Sequence, residues 1–383
     1  LFPYTTLFRS CRRDDEDSAR QRVSMSDIKK VDVLIVGAGP AGSVCGYLLK
    51  RGGVDCLLID HASFPRDKIC GGGLTPKTYQ LLEHLMPDFK YDFNEVTHVR
   101  LAVDVDGVAS CEFDSTLPIR IVQRRVFDYE LLKQYLALGG AFQKGAVQTI
   151  NESADCINVT LKSGEKISCR YLIGADGSNS SVRRYLSPSQ GYRILALEQY
   201  VPKREGSTID VELTPAFGRG GYYYRFPNTT FDVVGYGEVN TTADSFRRIL
   251  QRKGIEEGKF RGAYVYLSND YPKHDRILLI GDAGGFANQI TCEGLYYAML
   301  TACHAAIAVV HDKPFREVNA MVFRKERKDH FLSPILFSRP SLHVIKWLCA
   351  KPAIVAKVFD KAMRRELPKS LYHPHPKIIP GLF

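Results

Sequence analysis

The sequence predicts an α/β chain in which a parallel sheet with helices is joined to an antiparallel sheet and to a helical C-terminal segment. Three observations predict it. An apolar run, a glycine-rich turn, an amphipathic run and a second apolar run follow one another over residues 31–60. Residues 171–184 and 276–302 repeat the order of strand, glycine turn and helix start. Between these two, Tyr222-Tyr223-Tyr224-Arg225-Phe226 alternates as a strand does, with 222, 224 and 226 on one face. With 383 residues the chain can bury a large core, and 45% hydrophobic against 25% charged places it among ordinary globular proteins.

Taken in order, VDVLIV at 31–36 suits a strand buried on both faces. G-A-G-P-A-G follows at 37–42, and an amphipathic helix runs from there to Arg51, stopped by Gly52 and Gly53. VDCLLID at 54–60 is a second buried strand ending in Asp60, 23 residues after Gly37. This is the order of a Rossmann-like dinucleotide-binding unit. Gly37 permits a tight turn, Gly39 lets a pyrophosphate approach the backbone, and Gly42 lets helix and strand pack closely. Ala38, Pro40 and Ala41 complete the turn, and the free N–H groups of the helix start favour phosphate. Asp60 is placed to accept from a ribose.

The segments YLIGADGSNSSVRR at 171–184 and RILLIGDAGGFANQITCEGLYYAMLTA at 276–302 resemble the further fingerprints of flavoprotein hydroxylases, which bind FAD. The resemblance makes Asp176, in the first of these two segments, a cofactor-binding residue and places Asp282 on the flavin ribityl chain. It aims the helix beginning at Gly294 and Leu295 at the flavin pyrimidine edge, where a helix N-terminus favours negative charge on the reduced ring. R-R-V-F-D at 124–128 is similar to that family's R-x-x-F-D, with Arg124 at the cofactor-contacting position.

Two further motifs narrow the resemblance. P-x-x-x-x-C-G-G-G runs from Pro65 to Gly73, and Y-x-Y-x-F-P runs from Tyr222 to Pro227, followed by Gly235-Tyr236-Gly237. Together they resemble the geranylgeranyl reductase family of FAD enzymes, which saturate isoprenoid double bonds. The resemblance covers residues 31 to about 330. It implies that Cys70, Gly71, Gly72 and Gly73 lie at the reactive face of the flavin. It implies that Tyr222, Tyr224, Phe226, Pro227, Gly235 and Gly237 line a lipid pocket. Tyr224 stands where the family usually has Trp, which adds a hydroxyl to the pocket wall. Cys70 reads either as a thiol that donates a proton or gates the reduced state, or as a small buried hydrophobe.

The expected organisation is an FAD-binding domain from 25–90, 120–190 and 270–330, a substrate-binding domain from 91–119 and 191–265, and a basic helical segment over 331–383. Residues 1–10, LFPYTTLFRS, read as an in-frame translation of a sequencing adapter and Met25 as the natural start. Residues 1–24 are therefore expected to be a disordered, non-native leader. The ten cysteines form no C-x-x-C pair, so no metal site is expected, and a reducing, cytoplasmic compartment is. From Arg324 onward, 13 Lys and Arg face four Asp and Glu, which accounts for most of the net charge of +10. No apolar run reaches the ~18 residues of a spanning helix. The apolar stretches SPILF and HVIKWLCA lie between these basic residues, a pattern suited to peripheral docking on anionic lipid at the inner membrane face. The tail lacks the recognition fold and stacking platforms of a nucleic-acid binder.

The function expected from these residues is FAD-dependent saturation of a polyprenyl chain on a lipid precursor or quinone, with NAD(P)H or a ferredoxin-type protein as external reductant. Two other readings share the same residues: an FAD monooxygenase using NAD(P)H and oxygen, and a flavoprotein that binds isoprenoid without turnover. The W-x-W-x-I-P motif of flavin halogenases is missing, and Trp347 is the single tryptophan.

Overall fold

The structure is a computed structural model that describes residues 28–187, 191–214 and 222–364. The leader expected at 1–24 and the tail beyond 364 lie outside the described residues. In chain order the elements begin with β1 (Ile28–Val36), α1 (Pro40–Arg51), β2 (Cys56–Asp60), β3 (Gly73–Leu74), α2 (Pro76–Leu85), β4 (Asn94–Asp104) and β5 (Val108–Ile121). Next come α3 (Arg124–Ala137), β6 (Ala141–Lys144), β7 (Val147–Glu152), β8 (Ile157–Leu161), β9 (Lys166–Gly174), α4 (Ser181–Leu186), β10 (Tyr192–Pro202) and β11 (Thr208–Leu213). They continue with β12 (Tyr222–Pro227), β13 (Phe231–Glu238), α5 (Ala243–Arg252), β14 (Phe260–Leu267) and β15 (Ile277–Leu279). The last are α6 (Leu295–Val310), α7 (Phe315–Val318), α8 (Ala320–Leu336), α9 (Arg339–Leu348) and α10 (Pro352–Arg364).

The first sheet has strand order β6-β2-β1-β9-β8-β7, with β15 added beside the end of β9. β1, β2, β6, β9 and β15 run parallel, and β7 and β8 form an antiparallel extension. The sequence explains the centre: Val33, Leu34, Ile35 and Val36 are all buried, because α1, α3 and α6 cover one face and a second apolar cluster covers the other. Burying each such side chain contributes roughly 1.5–3 kcal/mol. Helix α6 is buried at 13 of its 16 residues, in keeping with its apolar sequence. Among the described residues no helix is long and apolar enough to cross a membrane.

The second sheet has order β14-β10-β13-β12-β11-β4-β5-β3. An antiparallel sheet was expected, and one pair departs from it: β11 and β4 are parallel. Hairpins force antiparallel pairing, but between β4 and β11 the chain passes through β6, β7, β8 and β9 of the first sheet, so no hairpin ties their directions. The short β3, Gly73–Leu74, pairs with Arg120 and Ile121 and edges this second sheet rather than the first. The last three described helices agree with the expected helical segment. Leu342, Cys349 and Val355 of α9 and α10 and their connection bury against β4 and β5.

Candidate active site

The first glycine turn is built as its sequence demands. Gly37 has φ +108°, and a Cβ there would lie 2.3 Å from the Ala175 carbonyl oxygen. A Cβ on Gly42 would lie 1.8 Å from the Gly37 carbonyl oxygen, so this helix can pass over the turn only without a side chain. Around Gly39 the space is open: a Cβ would meet one side-chain atom, Arg66 Nη2, at 3.1 Å. Gly39 also caps α1 without a side-chain hydrogen bond, so Pro40, Ala41 and Gly42 begin a helix whose first N–H groups have no side-chain acceptor. Asp60 was assigned to a ribose. In the structure its buried carboxylate accepts from the Ala38 and Ala62 backbone N–H groups, both at 2.8 Å, and so braces the turn itself.

Arg66 was missed. Its guanidinium stands beside Gly39, lies 3.5 Å from Asp128 Oδ2 and stacks over the Phe64 ring. A single arginine after a proline carries no periodic signal, so only the folded chain reveals it. Arg124 is buried and held by both oxygens of Asp128, at 2.7 and 2.9 Å. Burial pushes its pKa down, and Asp128 together with the Cys70 sulfur more than restores it. Its donors are thus committed to its own helix and toward Cys70.

The second and third turns meet through Arg183. It donates to the carbonyls of Ser178 and Ala283 and lies 3.6 Å from the Tyr266 ring centroid. Asp176 Oδ2 accepts from the Ser181 backbone and hydroxyl, while its buried Oδ1 has no hydrogen-bond partner among the described residues. At the start of α6, a Cβ on Gly294 would meet only Asp282 Oδ1, at 3.1 Å. The N-terminus formed by Gly294 and Leu295 therefore opens beside one carboxylate and carries no side-chain cap.

The remaining motifs meet at one wall. The rings of Tyr222, Tyr224 and Phe226 follow one another with centroids 5.9 and 4.9 Å apart, the face that the alternation predicts. The three glycines at 71–73 have a reason inside the chain that the sequence did not disclose. A Cβ on Gly71 would lie 2.5 Å from Phe226 and 3.0 Å from Tyr224, and one on Gly73 would lie 3.2 Å from Phe226. Gly72 has φ +78°, and its Cβ would fall 2.1 Å from the Val122 carbonyl oxygen. Gly235 likewise clears space for Tyr224, whose Cζ would be 2.3 Å from its Cβ, and Gly237 lies against Ala196. Pro227 ends β12, and its carbonyl accepts from Asn94. Cys70 is half-buried, and its sulfur accepts from the Gly72 N–H at 3.4 Å.

Two charged groups of this region also escaped the sequence reading. Glu198, on β10, is buried and accepts from the Tyr224 hydroxyl. Burial pushes its pKa up to about 7, against the pull of Tyr224, the Cys70 backbone amide, Arg124 and Lys68. A carboxyl raised in this way binds a proton in the folded state that the unfolded chain has released. Its contribution to stability is therefore present at low pH and lost as pH rises from about 4.5 to about 7. Lys77 and Glu293 form the second group, a buried ion pair at 2.8 Å between α2 and the residue before Gly294. The signal for Glu198 was faint: one acid inside the apolar run I-L-A-L-E-Q, opposite Gly235 in the ladder.

Comparison with known proteins gives three kinds of match. The family profile described as an FAD binding domain matches residues 30–194. Menaquinone reductase of Mycobacterium tuberculosis is 30% identical over 319 residues, covering 74% of this chain and 77% of that protein. The chloroplastic geranylgeranyl diphosphate reductase of Oryza sativa is 25% identical over 320 residues, covering 74% of this chain and 67% of that protein. Among solved structures, a geranylgeranyl bacteriochlorophyll reductase-like protein of Thermoplasma acidophilum superposes with a TM-score of 0.73 at 18% identity. It covers 92% of this chain and 100% of that one, a likeness of fold.

Proposed function

Since this chain belongs to the geranylgeranyl reductase family of FAD-dependent oxidoreductases, we propose that it saturates carbon–carbon double bonds in a polyprenyl chain carried by a lipid or a quinone. The observation that supports this reading is the seating of the Tyr224 and Phe226 rings on the Gly71–Gly73 backbone. It joins the two motifs into one apolar wall.

The residues present fit FAD. Gly39 faces open space that a Cβ would enter, Gly37 and Gly42 let strand, turn and helix close beneath it, and the Arg66 guanidinium stands beside Gly39 for the pyrophosphate. The unpartnered Asp176 oxygen, Asp282 and the bare start of α6 at Gly294 and Leu295 would meet the sugar-like chain and the ring. FAD, when bound and reduced, supplies hydride. The chain's own work is orientation and the exclusion of water: Tyr222, Tyr224 and Phe226 give a flat prenyl segment a fixed surface. Cys70 and the Gly71–Gly73 backbone border the same wall.

The reading is tested anaerobically. The protein's flavin is reduced with dithionite and offered geranylgeranyl diphosphate or a polyprenyl quinone. Mass spectrometry should find the product heavier by two hydrogens for each bond reduced, with flavin reoxidised in step. No gain with any prenyl compound, together with oxygen-dependent NAD(P)H oxidation in the presence of another ligand, would replace the reductase by a monooxygenase.

The same reading includes peripheral docking on anionic lipid. Supporting it, Phe331 and Ile335 of α8, Val344 and Trp347 of α9, and Ile354 and Val358 of α10 are exposed. Lys351 sits 3.9 Å from the centroid of the Trp347 ring. Residues 331–364 carry six Lys and Arg and one Asp, which suits a negative surface. Each such cation near anionic lipid contributes about 1 kcal/mol. The protein should co-sediment with phosphatidylglycerol vesicles and remain in solution with phosphatidylcholine alone. Trp347→Ser should weaken the vesicle-bound fraction several-fold, and equal binding to both vesicle types would exclude the docking face.

A further inference from the structure

Glu198 has no role in the function so far, yet it is the acid that touches the Tyr224 hydroxyl. It is 4% exposed and lies on β10 opposite Gly235, in the gap that Tyr224 fills. The groups facing it come from every neighbouring element. Tyr224 comes from β12, the Cys70 amide and Lys68 from the glycine stretch, Arg124 from α3 and Tyr200 from further along β10. Arg261 of β14 is its partner in the ladder, and that side chain is engaged by Asp67.

The geometry points to Glu198 as the proton reservoir of this site and to Tyr224 as the arm that delivers the proton to the carbon opposite the one that takes hydride. The inference rests on the proposed reduction of a prenyl alkene. The hydrogen-bond direction follows from the protonation state. An ionised Glu198 can only accept, and the Tyr224 O–H is turned toward it. A protonated Glu198 donates to the phenol oxygen, which frees the tyrosyl O–H to turn to another acceptor. The step then balances. One C–H bond would form with the hydride that bound, reduced FAD would supply, and the alkene π pair takes the Tyr224 proton to form the other. Glu198 replaces that proton and becomes a carboxylate, which water reloads. Burial holds the carboxyl neutral up to about pH 7, where an ordinary glutamate has lost its proton. The usual family tryptophan has no hydroxyl, so Tyr224 is what makes this relay available.

The test uses the full chain with FAD bound and geranylgeranyl diphosphate as probe. Wild type should show a single-turnover rate that falls about tenfold per pH unit above pH ~7. Glu198→Gln still accepts from Tyr224 but has no acidic proton to transfer. It should bind the probe within about threefold of wild type, turn over roughly 100-fold more slowly, and lose that pH dependence. Tyr224→Phe should lose rate by a similar factor. A readout independent of turnover is the infrared band of a protonated carboxyl, titrating near pH ~7 in wild type and missing from Glu198→Gln. If wild type reduces the alkene and Glu198→Gln does so at the same rate with the same pH profile, the relay is wrong and the function stands. If wild type reduces no alkene, the proposed function falls and the relay with it. A carboxyl band in wild type that Glu198→Gln retains also overturns the relay.

Discussion

Lys77→Met is expected to destabilise the protein by about 3–5 kcal/mol, because it leaves Glu293 charged and buried without its cation. The pair is close, at 2.8 Å, with side chains 5% and 9% exposed. Glu293 also accepts from the hydroxyls of Thr75 and Thr78, at 2.5 and 2.8 Å, so three residues around the start of α2 hold one carboxylate. Lys77 in turn lies 5.0 Å from the Tyr296 ring centroid. This cluster fixes the residue immediately before Gly294, and so fixes where α6 begins. Methionine fills the volume of the lysine stem, so the loss isolates the charge. The measurement is the urea midpoint at constant slope. The double variant Lys77→Met with Glu293→Gln should recover much of the loss, since it removes the stranded charge. A single-variant cost below about 1 kcal/mol would mean that water reaches the pair and that it behaves as a surface bridge.

Gly42→Ala should produce a folded protein that has lost most of its FAD. The new Cβ would lie 1.8 Å from the Gly37 carbonyl oxygen and 3.3 Å from Leu58. The carbonyl cannot retreat, because Gly37 is itself held at φ +108° against the Ala175 carbonyl. Overpacking of this kind costs roughly 1–3 kcal/mol. Placed on the cradle alone, that corresponds to about 5- to 150-fold in cofactor affinity. Gly39→Ala makes the informative comparison. Its Cβ meets only the flexible end of Arg66, so stability should hold while phosphate approach is blocked. Titration of FAD into both apoproteins, with thermal unfolding alongside, separates the two effects. Full FAD affinity in Gly42→Ala would contradict the close passage of α1 over the turn.

Residues 31–60 show why part of this protein could be read directly. The apolar run before Gly37, the glycine spacing and the acid at Asp60 are properties of consecutive residues, and the strand, turn and helix follow from them. The face shared by Tyr222, Tyr224 and Phe226 is equally local, since alternation is a property of one strand. The site's polar partners are of another kind. Glu198 lies 26 residues from Tyr224, and Glu293 lies 218 residues from Thr75. Arg66 reaches Gly39 and Asp128 from a loop with no period of its own. The parallel pairing of β4 with β11 belongs here too, because no turn connects them.

By itself the sequence determined the FAD-type turns, the aromatic wall and the places where no side chain is tolerated, because backbone freedom and strand or helix period are local. Only the tertiary structure decided what occupies the space above Gly71 to Gly73 and which acid is buried against Tyr224. Those are questions of which distant segments exclude water from one another, and burial is set by the path of the whole chain.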